Sequence, residues 1–380
     1  MEQQHEQPVD ERGAGGDPSA APVAGGDVLA GLEGAAGVVT LARPRALNAL
    51  TTAMRAEIAR SFAAWARDPQ VYAVLVTSGS DRAFCAGGDV REMVDWGRNR
   101  PADARRSLAA EYALNWQLDC FNKPTVSLID GVVVGSGVGI TLYGTHRIAG
   151  ERYSFAMPEC AIGLFPDDGV SWAFARMPHE IGTYLALTGR AIGRADAYRL
   201  GLVTHCIPAA QFGAIRAAIA DADPVDPVLD DRHEHPGRDE LEGLEPVIER
   251  CFSADTVEEI IARLAAERGA QGEWAKGVLG DLARCSPTSL EVALRHVRLV
   301  KGLDLSATLR QDFRLGCRFL EGHDLFEGVR ASLIDRDQKP RWAPERLQDV
   351  TADMVDRHFA PLGTDELQLA SRAEMQAIRT

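Results

Sequence analysis

The stretch TVSLIDGVVVGSGVGITLYG, residues 125–144, decides the class of fold. It is apolar enough to resemble a membrane span, but it contains Asp130 and five glycines. That composition favours a buried strand followed by turns over a spanning helix. TVSLIDG (125–131) is predicted to be the strand, and GSGVGITLYGTH (135–146) a glycine turn that opens a helix. The basic unit is therefore a strand, a glycine turn and a helix in direct succession.

Strands and helices alternate along much of the chain in the same way. Apolar runs closed by Gly or Pro predict strands, and apolar side chains at helical spacing, such as Met54, Ile58 and Phe62, predict helices. The predicted strands are 37–44, 71–80, 125–131 and 147–156, and the predicted helices are 49–68 and 103–121. This alternation predicts an α/β fold built in layers.

The C-terminal third of the sequence has a helical pattern. Asp255 with Glu258 resembles a capping box, and Ser286 followed by Pro287 is typical of a helix N-terminus. We divide the chain into a disordered N-terminal tail (1–28), an α/β core that binds the ligand (29–220), an acidic, Pro-rich, exposed linker or lid (221–246) and a helical region (247–380).

Composition limits the classes of partner. The 380 residues are 46% hydrophobic and 25% charged, which is ordinary for a soluble protein. A net charge of −14 disfavours nucleic acid and anionic membrane surfaces, although it leaves room for a local basic pocket that binds a phosphorylated ligand. The seven cysteines are scattered without a C-x-x-C pair, which predicts free thiols in a reducing compartment. The N-terminus has no apolar signal region, so we predict a cytoplasmic protein.

Two carboxylates and two glycine loops are the candidates for a site. Glu159 and Asp167 lie eight residues apart in the apolar run FAMPECAIGLFPDDG (155–169). Acidic side chains are rarely buried without a partner, and an apolar setting raises their pKa. The loops CAGGD (85–89) and GSGVG (135–139) each precede a helix. Each is compatible with a simple tight turn, but together they offer two converging amides, the geometry of an oxyanion hole.

The second loop does not fit two better-known motifs. Ser136 is flanked two residues away by Val134 and Val138, so it lacks the glycines of a nucleophile elbow. Ile140 stands at the third glycine position of the dinucleotide fingerprint. Glu159 does lie at about the distance expected of a ribose-binding acid, which leaves a dinucleotide site as a weaker alternative.

The histidines do not predict a metal site. His233 and His235 are close in sequence, but they lie in the acidic segment, and an exposed linker accounts for them better than a metal does. His146, His179 and His205 stand alone and are predicted to be structural.

Long motifs carry a resemblance to a known family. The chain resembles the enoyl-CoA hydratase/isomerase (crotonase) superfamily and, within it, the group of 3-hydroxyisobutyryl-CoA hydrolases. The superfamily motifs are RPRALNAL, RAFCAGGD, KPTVSLIDGVVVGSGVGI, FAMPECAIGLFPDDG and YLALTGRAIGRADAYRLGLV. The motifs typical of the hydrolases are CFSADTVEEII, SPTSL and GHDLFEGVRASLIDRDQKPRW. The similarity runs from about residue 37 to the C-terminal end, without residues 221–246.

The resemblance implies a spiral of strand–strand–helix turns that holds an acyl-CoA thioester, with no cofactor beyond the coenzyme A of the substrate. It implies that the backbone amides of Gly88 and Ser136 form the oxyanion hole and that Glu159 and Asp167 are catalytic. The implied substrate is a branched 3-hydroxyacyl-CoA of valine breakdown. The further substrate-contacting positions that it implies are Glu111, Gly87 and Asp89.

Other activities and two departures stay open at this point. Hydratases of the superfamily carry a second Glu where this chain has Gly139, so hydration or isomerisation of an acyl-CoA is the alternative activity. A non-catalytic CoA-ester-binding protein is a further alternative. Ser136 replaces a usual glycine, and Asp168 puts a second acid next to Asp167 where the hydrolases have a small apolar residue. A homo-oligomer is compatible with the resemblance.

Overall fold

The computed structural model describes residues 26–377. The predicted tail therefore lies outside the described residues except for its last three positions, and Val28 already begins the first strand. None of the helices in residues 26–377 is long and apolar enough to cross a bilayer.

The strands that the structure describes form two sheets. In chain order they are β1 (Val28–Glu33), β2 (Ala36–Leu41), β3 (Ala73–Ser78), β4 (Ala83–Cys85), β5 (Thr125–Ile129), β6 (Val132–Val134), β7 (His146–Ala149), β8 (Ser154–Ala156), β9 (Ile192–Gly193) and β10 (His205–Cys206). The larger sheet has the order β1-β2-β3-β5-β7-β10 and the smaller one β4-β6-β8-β9. Only β1/β2 and β8/β9 pair antiparallel within these two sheets of the described chain.

From β3 to β8, consecutive strands alternate between the two sheets, which creates the spiral. The pairs β3/β4, β5/β6 and β7/β8 each give one strand to the larger sheet and the next to the smaller one. The predicted α/β fold with strand–strand–helix turns is therefore confirmed. One strand prediction was wrong, because 147–156 forms two strands, β7 and β8. The chain turns between them, where the Gly150 amide donates to Ile129 O at 2.8 Å and Asp130 Oδ1 accepts from the Arg152 amide at 2.8 Å.

Helices cover the sheets and make up the C-terminal part. They are α1 (Thr52–Arg67), α2 (Val90–Asn99), α3 (Pro101–Asp119), α4 (Ser136–Gly139), α5 (Val170–Phe174), α6 (Ile181–Thr188), α7 (Arg194–Arg199), α8 (Phe212–Ala220), α9 (Val225–Asp230), α10 (Glu245–Phe252), α11 (Val257–Ala266), α12 (Gly269–Leu282), α13 (Pro287–Val300), α14 (Leu305–Glu321), α15 (Asp324–Val329), α16 (Ala352–Phe359) and α17 (Arg372–Ala377). The helix predicted after the second glycine loop is α4, a single turn.

Two helix starts test the predicted caps. Ser286 caps α13 as predicted, with its Oγ accepting from the Ser289 amide at 3.1 Å. The predicted capping box was wrong by one position, because Thr256 caps α11 and accepts from the Glu259 amide at 3.2 Å. The Glu259 carboxylate in turn accepts from the Asp255 amide at 3.3 Å.

Most residues of the segment 221–246 are exposed, but part of it is helical and packs on the core, and its role as a linker or lid stays a prediction. It contains α9, whose apolar residues Val225, Val228 and Leu229 are buried against the larger sheet. Leu241, near the end of the segment, is buried as well. The three apolar residues of α9 follow an i, i+3, i+4 spacing, a helical signal that the many acidic and proline residues obscured.

The C-terminal helices fold back on the α/β core of the same chain. α14 packs against α3, and the Trp116 indole donates to Ala370 O at 2.7 Å. Phe319 of α14 stacks on Phe165 with 5.5 Å between ring centroids. All seven cysteines lie within residues 26–377 and are buried, and none of them forms a disulfide there, as their scattered spacing predicted. The core and the C-terminal helices therefore share one apolar interior.

Candidate active site

The two glycine loops lie side by side. They follow β4 and β6, which are parallel neighbours, so both loops leave the same edge of the smaller sheet. The loops are close enough that a Cβ added to Gly88 would lie 2.9 Å from Ser136 Oγ. Gly87 has φ 93°, a conformation that side chains disfavour, and a Cβ there would lie 3.3 Å from Val134 O. Glycine thus allows the close approach of the loops.

The loops direct two unused amides into one cavity. Ser136 is the first residue of α4, so its N–H has no acceptor within the helix. Within residues 26–377, neither the Ser136 amide nor the Gly88 amide donates a hydrogen bond to a protein group. Both residues line a cavity of about 520 Å³. These donors are free to bind an oxygen atom of a ligand.

Glu159 and Asp167 line the same cavity and are both 6% exposed. Glu159 begins a short helical turn after β8, and its Oε1 lies 3.0 Å from the position of a Cβ on Gly135, so its carboxylate rests against the second glycine loop. Asp167 accepts a hydrogen bond from the Tyr112 hydroxyl at 2.8 Å. The structure brings together the two carboxylates and the two amides that the sequence singled out.

Burial changes the acidity of these carboxylates. Removal from water raises the pKa of Glu159 to about 8, and the charge of Asp168 adds to the rise. Burial also raises the pKa of Asp167 well above its ordinary value, and the charges of Glu111 and Glu159 act in the same direction. Such carboxyl groups hold protons near neutral pH and are strong bases once ionised.

Glu111 lies one layer behind the cavity. It is 2% exposed, and its Oε1 accepts from Ser136 Oγ and from Arg55 Nη1, the latter at 3.2 Å. Glu111 is not among the residues that line the cavity, whereas Ser136 is. The Ser136 hydroxyl therefore separates Glu111 from the cavity. The contact of Glu111 with substrate stays a prediction.

Asp168 fills the space beside Gly139. A Cβ on Gly139 would lie 2.8 Å from Asp168 Oδ1, so a larger side chain at 139 has no room. Asp168 has φ 56°, which is strained for a residue with a side chain, and it is 1% exposed. Asn115 donates to its Oδ1 at 2.7 Å, while its Oδ2 has no partner within the described chain. Burial raises its pKa strongly, and the charge of Asp167 adds to this.

Several polar residues near the site were missed from the sequence. Tyr112 and Asn115 lie on the buried face of α3 next to Glu111, and Arg55 lies on the buried face of α1. Each has a detectable signal, since a polar side chain at an apolar helical position needs a partner. Asp312 was also missed. It accepts from the Gly169 amide at 2.6 Å and so fixes the chain just after the two aspartates.

Arginines surround the mouth of the cavity, on the segment between β2 and α1, on α2 and in the C-terminal region. Those that line it are Arg43, Arg45, Arg91 and Arg336. Asp89 is already engaged, because it caps α2 and accepts from Arg43 Nη1 at 2.8 Å. Arg91 donates to Leu333 O at 2.8 Å and ties the C-terminal region to the mouth. A cationic rim on an acidic protein favours a negatively charged ligand.

The histidines singled out in the sequence have hydrogen-bond partners. His146 contacts Asp226 at 2.8 Å, and His205 contacts Asp230 at 3.1 Å. His233 accepts from the backbone amide of Cys206 at 3.0 Å. In the part of the chain that the structure describes, no group of three or more His, Cys, Asp or Glu side chains is placed to hold a metal ion.

A family model and two curated proteins are similar to most of this chain. A family model described as enoyl-CoA hydratase/isomerase matches residues 36–359. A 3-hydroxyisobutyryl-CoA hydrolase, mitochondrial, of Xenopus tropicalis is 38% identical over 355 residues, 90% of this chain and 91% of that protein. The Homo sapiens protein of the same name is 36% identical over 352 residues, 90% of each chain.

Solved structures share the fold over almost their whole length. A carnitinyl-CoA dehydratase from Mycobacterium thermoresistibile has a TM-score of 0.85 at 38% identity, covering 90% of this chain and 98% of that one. An enoyl-CoA hydratase from Rhodobacter sphaeroides has a TM-score of 0.85 at 37% identity, covering 90% and 100%.

Proposed function

Because the chain belongs to the enoyl-CoA hydratase/isomerase family, we propose that it hydrolyses an acyl-CoA thioester, with 3-hydroxyisobutyryl-CoA as the substrate. The observation that carries the proposal is the meeting of Glu159 and Asp167 with the unused amides of Gly88 and Ser136 in one cavity. The names of the curated relatives support the choice of acyl group.

The amides suit a thioester carbonyl. When its carbon is attacked, negative charge develops on the oxygen, and N–H donors already aimed at that position stabilise it. Removing one such donor typically costs about 2.7–4 kcal/mol of transition-state stabilisation. In this proposal the Gly88 and Ser136 amides hold the oxygen.

Glu159 is the proposed reactive carboxylate, and two routes are open to it. As a nucleophile, its oxygen forms a bond to the thioester carbon while the C–S bond breaks, which leaves an anhydride and a thiolate that takes up a proton; water then cleaves the anhydride. As a general base, it removes a proton from water as the water oxygen attacks the same carbon; the C–S bond then breaks, and the departing thiolate takes up that proton. Asp167, fixed by Tyr112, orients the water or the acyl hydroxyl.

The rim of the cavity suits the coenzyme A part of the substrate. Arg45 and Arg336 both line the mouth of the cavity. Within residues 26–377, neither of them makes an ion pair with a carboxylate. Guanidinium groups bind phosphate oxygens well, and coenzyme A carries several phosphate groups. The arginines at the mouth therefore fit the phosphorylated end while the acyl group enters toward Glu159.

Hydration of an enoyl-CoA is the second candidate. The two solved structures at TM-score 0.85 are titled as a hydratase and a dehydratase. Against this activity, Gly139 lacks a carboxylate and the neighbouring space is filled by Asp168. Hydrolysis therefore remains the better match to the geometry.

A direct comparison of substrates tests the proposal. Thiol release is measured with a thiol reagent on 3-hydroxyisobutyryl-CoA and isobutyryl-CoA, and hydration of crotonyl-CoA is followed by loss of its enoyl absorbance. We expect the fastest turnover on the 3-hydroxy ester and little hydration. Efficient hydration without thiol release would overturn hydrolysis in favour of the second candidate. Binding of all three esters without any turnover would mean a non-catalytic CoA-ester-binding protein.

The pathway and the compartment belong to the same proposal. A branched 3-hydroxyacyl-CoA hydrolase would act in valine breakdown. Both relatives named above are described as mitochondrial, while the cytoplasmic location and a homo-oligomeric state of this chain stay predictions.

A further inference from the structure

A second cavity lies in the helical C-terminal region. It has a volume of about 440 Å³, within the usual range for ligand pockets, and is enclosed mainly by α13, α14, α16 and the turn before α15. It shares no lining residue with the cavity that contains Glu159. It is therefore a separate space that the proposed hydrolysis does not use.

Donors in this second cavity lack partners. The Thr288 hydroxyl and Arg318 Nε are buried and make no hydrogen bond within residues 26–377. Thr288 as a whole is 7% exposed. Arg357, an exposed residue, also lines the cavity, and its guanidinium makes no hydrogen bond or ion pair with the described residues. Thr288 and Arg318 carry the inference, because buried polar groups without a partner are uncommon and call for a ligand or water.

The acidic side chains of the second cavity are already satisfied. Asp324 accepts from the Ser286 hydroxyl at 2.6 Å and from the Ala343 amide at 2.8 Å. Glu321 accepts from Arg318 Nη1 at 3.1 Å and from Arg105. These carboxylates leave Arg318 Nε and the whole Arg357 guanidinium available to an anion.

The rest of the lining is largely apolar. Phe319 and Met354 face the cavity together with Ala343 and Ala360. Two cations and a hydroxyl beside an apolar wall match a ligand that carries one acid group on a hydrocarbon body. Inorganic phosphate and sulfate would leave the apolar wall without contacts.

We propose that the second cavity binds an aliphatic monocarboxylate. Its carboxylate accepts hydrogen bonds from the Thr288 hydroxyl, Arg318 Nε and Arg357, and its hydrocarbon body packs on Phe319 and Met354. The proposal does not rest on the proposed hydrolysis, because none of these residues belongs to that site.

The location of the second cavity connects it to the candidate active site. Phe319, which lines it, stacks on Phe165, two residues before Asp167. The Ser286 amide at the start of α13 donates to Cys160 O at 3.0 Å, next to Glu159. A ligand in this cavity would thus contact Phe319 and α13, which pack against the segment that carries Glu159 and Asp167.

His358 offers a reporter for binding. Its ring lies 4.8 Å from that of Phe319. Burial lowers its pKa, and the positive charges of Arg357 and Arg318 lower it further. An anion bound to these arginines should raise the His358 pKa, which a proton NMR titration can follow once His358→Gln has assigned the signal.

The experiment is calorimetric titration of the full chain with octanoate. Octanamide, which has the same shape without the charge, and inorganic phosphate serve as comparison ligands. We expect octanoate to bind with an upward shift of the His358 pKa and octanamide and phosphate to bind at least tenfold more weakly. Arg357→Gln should weaken octanoate at least tenfold and Thr288→Val several-fold, while Arg238→Gln at an exposed position should change nothing.

Several results would overturn the proposal. These are no octanoate binding at millimolar concentration, equal affinity for octanamide or phosphate, and an affinity that is the same in Arg357→Gln and Thr288→Val as in the wild type. Melting curves of both variants verify folding, and Thr288→Val keeps the side-chain shape if Arg357→Gln is unstable. Hydrolysis is not a readout, so failure here leaves the proposed function intact.

Discussion

Replacing Glu159 by glutamine should remove thioester hydrolysis while leaving the fold in place. The amide keeps the shape of the side chain but cannot attack a carbonyl carbon or accept a proton from water. Loss of an acid–base group typically costs two to four orders of magnitude in rate, which we expect here. The matched control is Glu242→Gln, an exposed carboxylate that should leave turnover unchanged.

The wild-type pH profile follows from the burial of Glu159. With a pKa of about 8, only about a tenth of the Glu159 side chains are ionised at pH 7. The rate should rise about tenfold per pH unit below this pKa and level off above it.

The same burial affects stability. The folded pKa of Glu159 lies above its ordinary value of 4.5, so the stability contribution is present below 4.5 and is lost as the pH rises to about 8. The loss is on the order of 3–5 kcal/mol. Glutamine does not titrate, so Glu159→Gln should melt higher than wild type at pH 8 and show less advantage at pH 5.

The assays are thiol release from 3-hydroxyisobutyryl-CoA between pH 6 and 9, read at one fixed pH after quenching, and thermal melts at pH 5 and pH 8. Near-normal turnover by folded Glu159→Gln would eliminate Glu159 as the working carboxylate. A rate that does not change between pH 6 and 9 would refute the link between burial and reactivity.

Three further sets of substitutions probe the neighbours of the cavity. Gly139→Glu should lower both the melting temperature and the rate of hydrolysis, because its Cβ would lie 2.8 Å from Asp168 Oδ1. Adding Asp168→Gly should restore the melting temperature. A normal melt for Gly139→Glu alone would contradict this crowding. Ser136→Ala and Ser136→Gly should keep most of the turnover number. Ser136→Pro removes the amide donor at a first helical position, where proline is tolerated, and should cost roughly 2.7–4 kcal/mol of transition-state stabilisation. A folded but inactive Ser136→Ala would instead mean a serine nucleophile. Arg55→Met should lower the free energy of unfolding by about 3–5 kcal/mol, because it leaves the Glu111 carboxylate buried without its cation. Adding Glu111→Gln should recover most of the melting temperature. Equal melts for Arg55→Met and wild type would show that the pair contributes nothing to stability.

The sequence alone determined the fold class and singled out part of the candidate site. Strand and helix periodicity are local properties, so the α/β core, the helices α1 and α3 and the helical nature of the C-terminal region could be predicted from residue patterns. Glycine loops and acids in an apolar run are local signals too, and they singled out the loops 85–89 and 135–139 together with Glu159 and Asp167. The family resemblance then implied the amides of Gly88 and Ser136, and the structure places these four residues around one cavity.

Only the tertiary structure decided which polar groups meet. Arg55 and Glu111 are 56 residues apart in the chain, and the pattern of neither helix shows that they pair. The packing of Asp168 beside Gly139, and the seating of Glu111 behind Ser136, depend on how separate turns of the spiral stack. Such contacts form because a buried polar group is costly without a partner. The distances between the elements of the fold decide which partner is within reach.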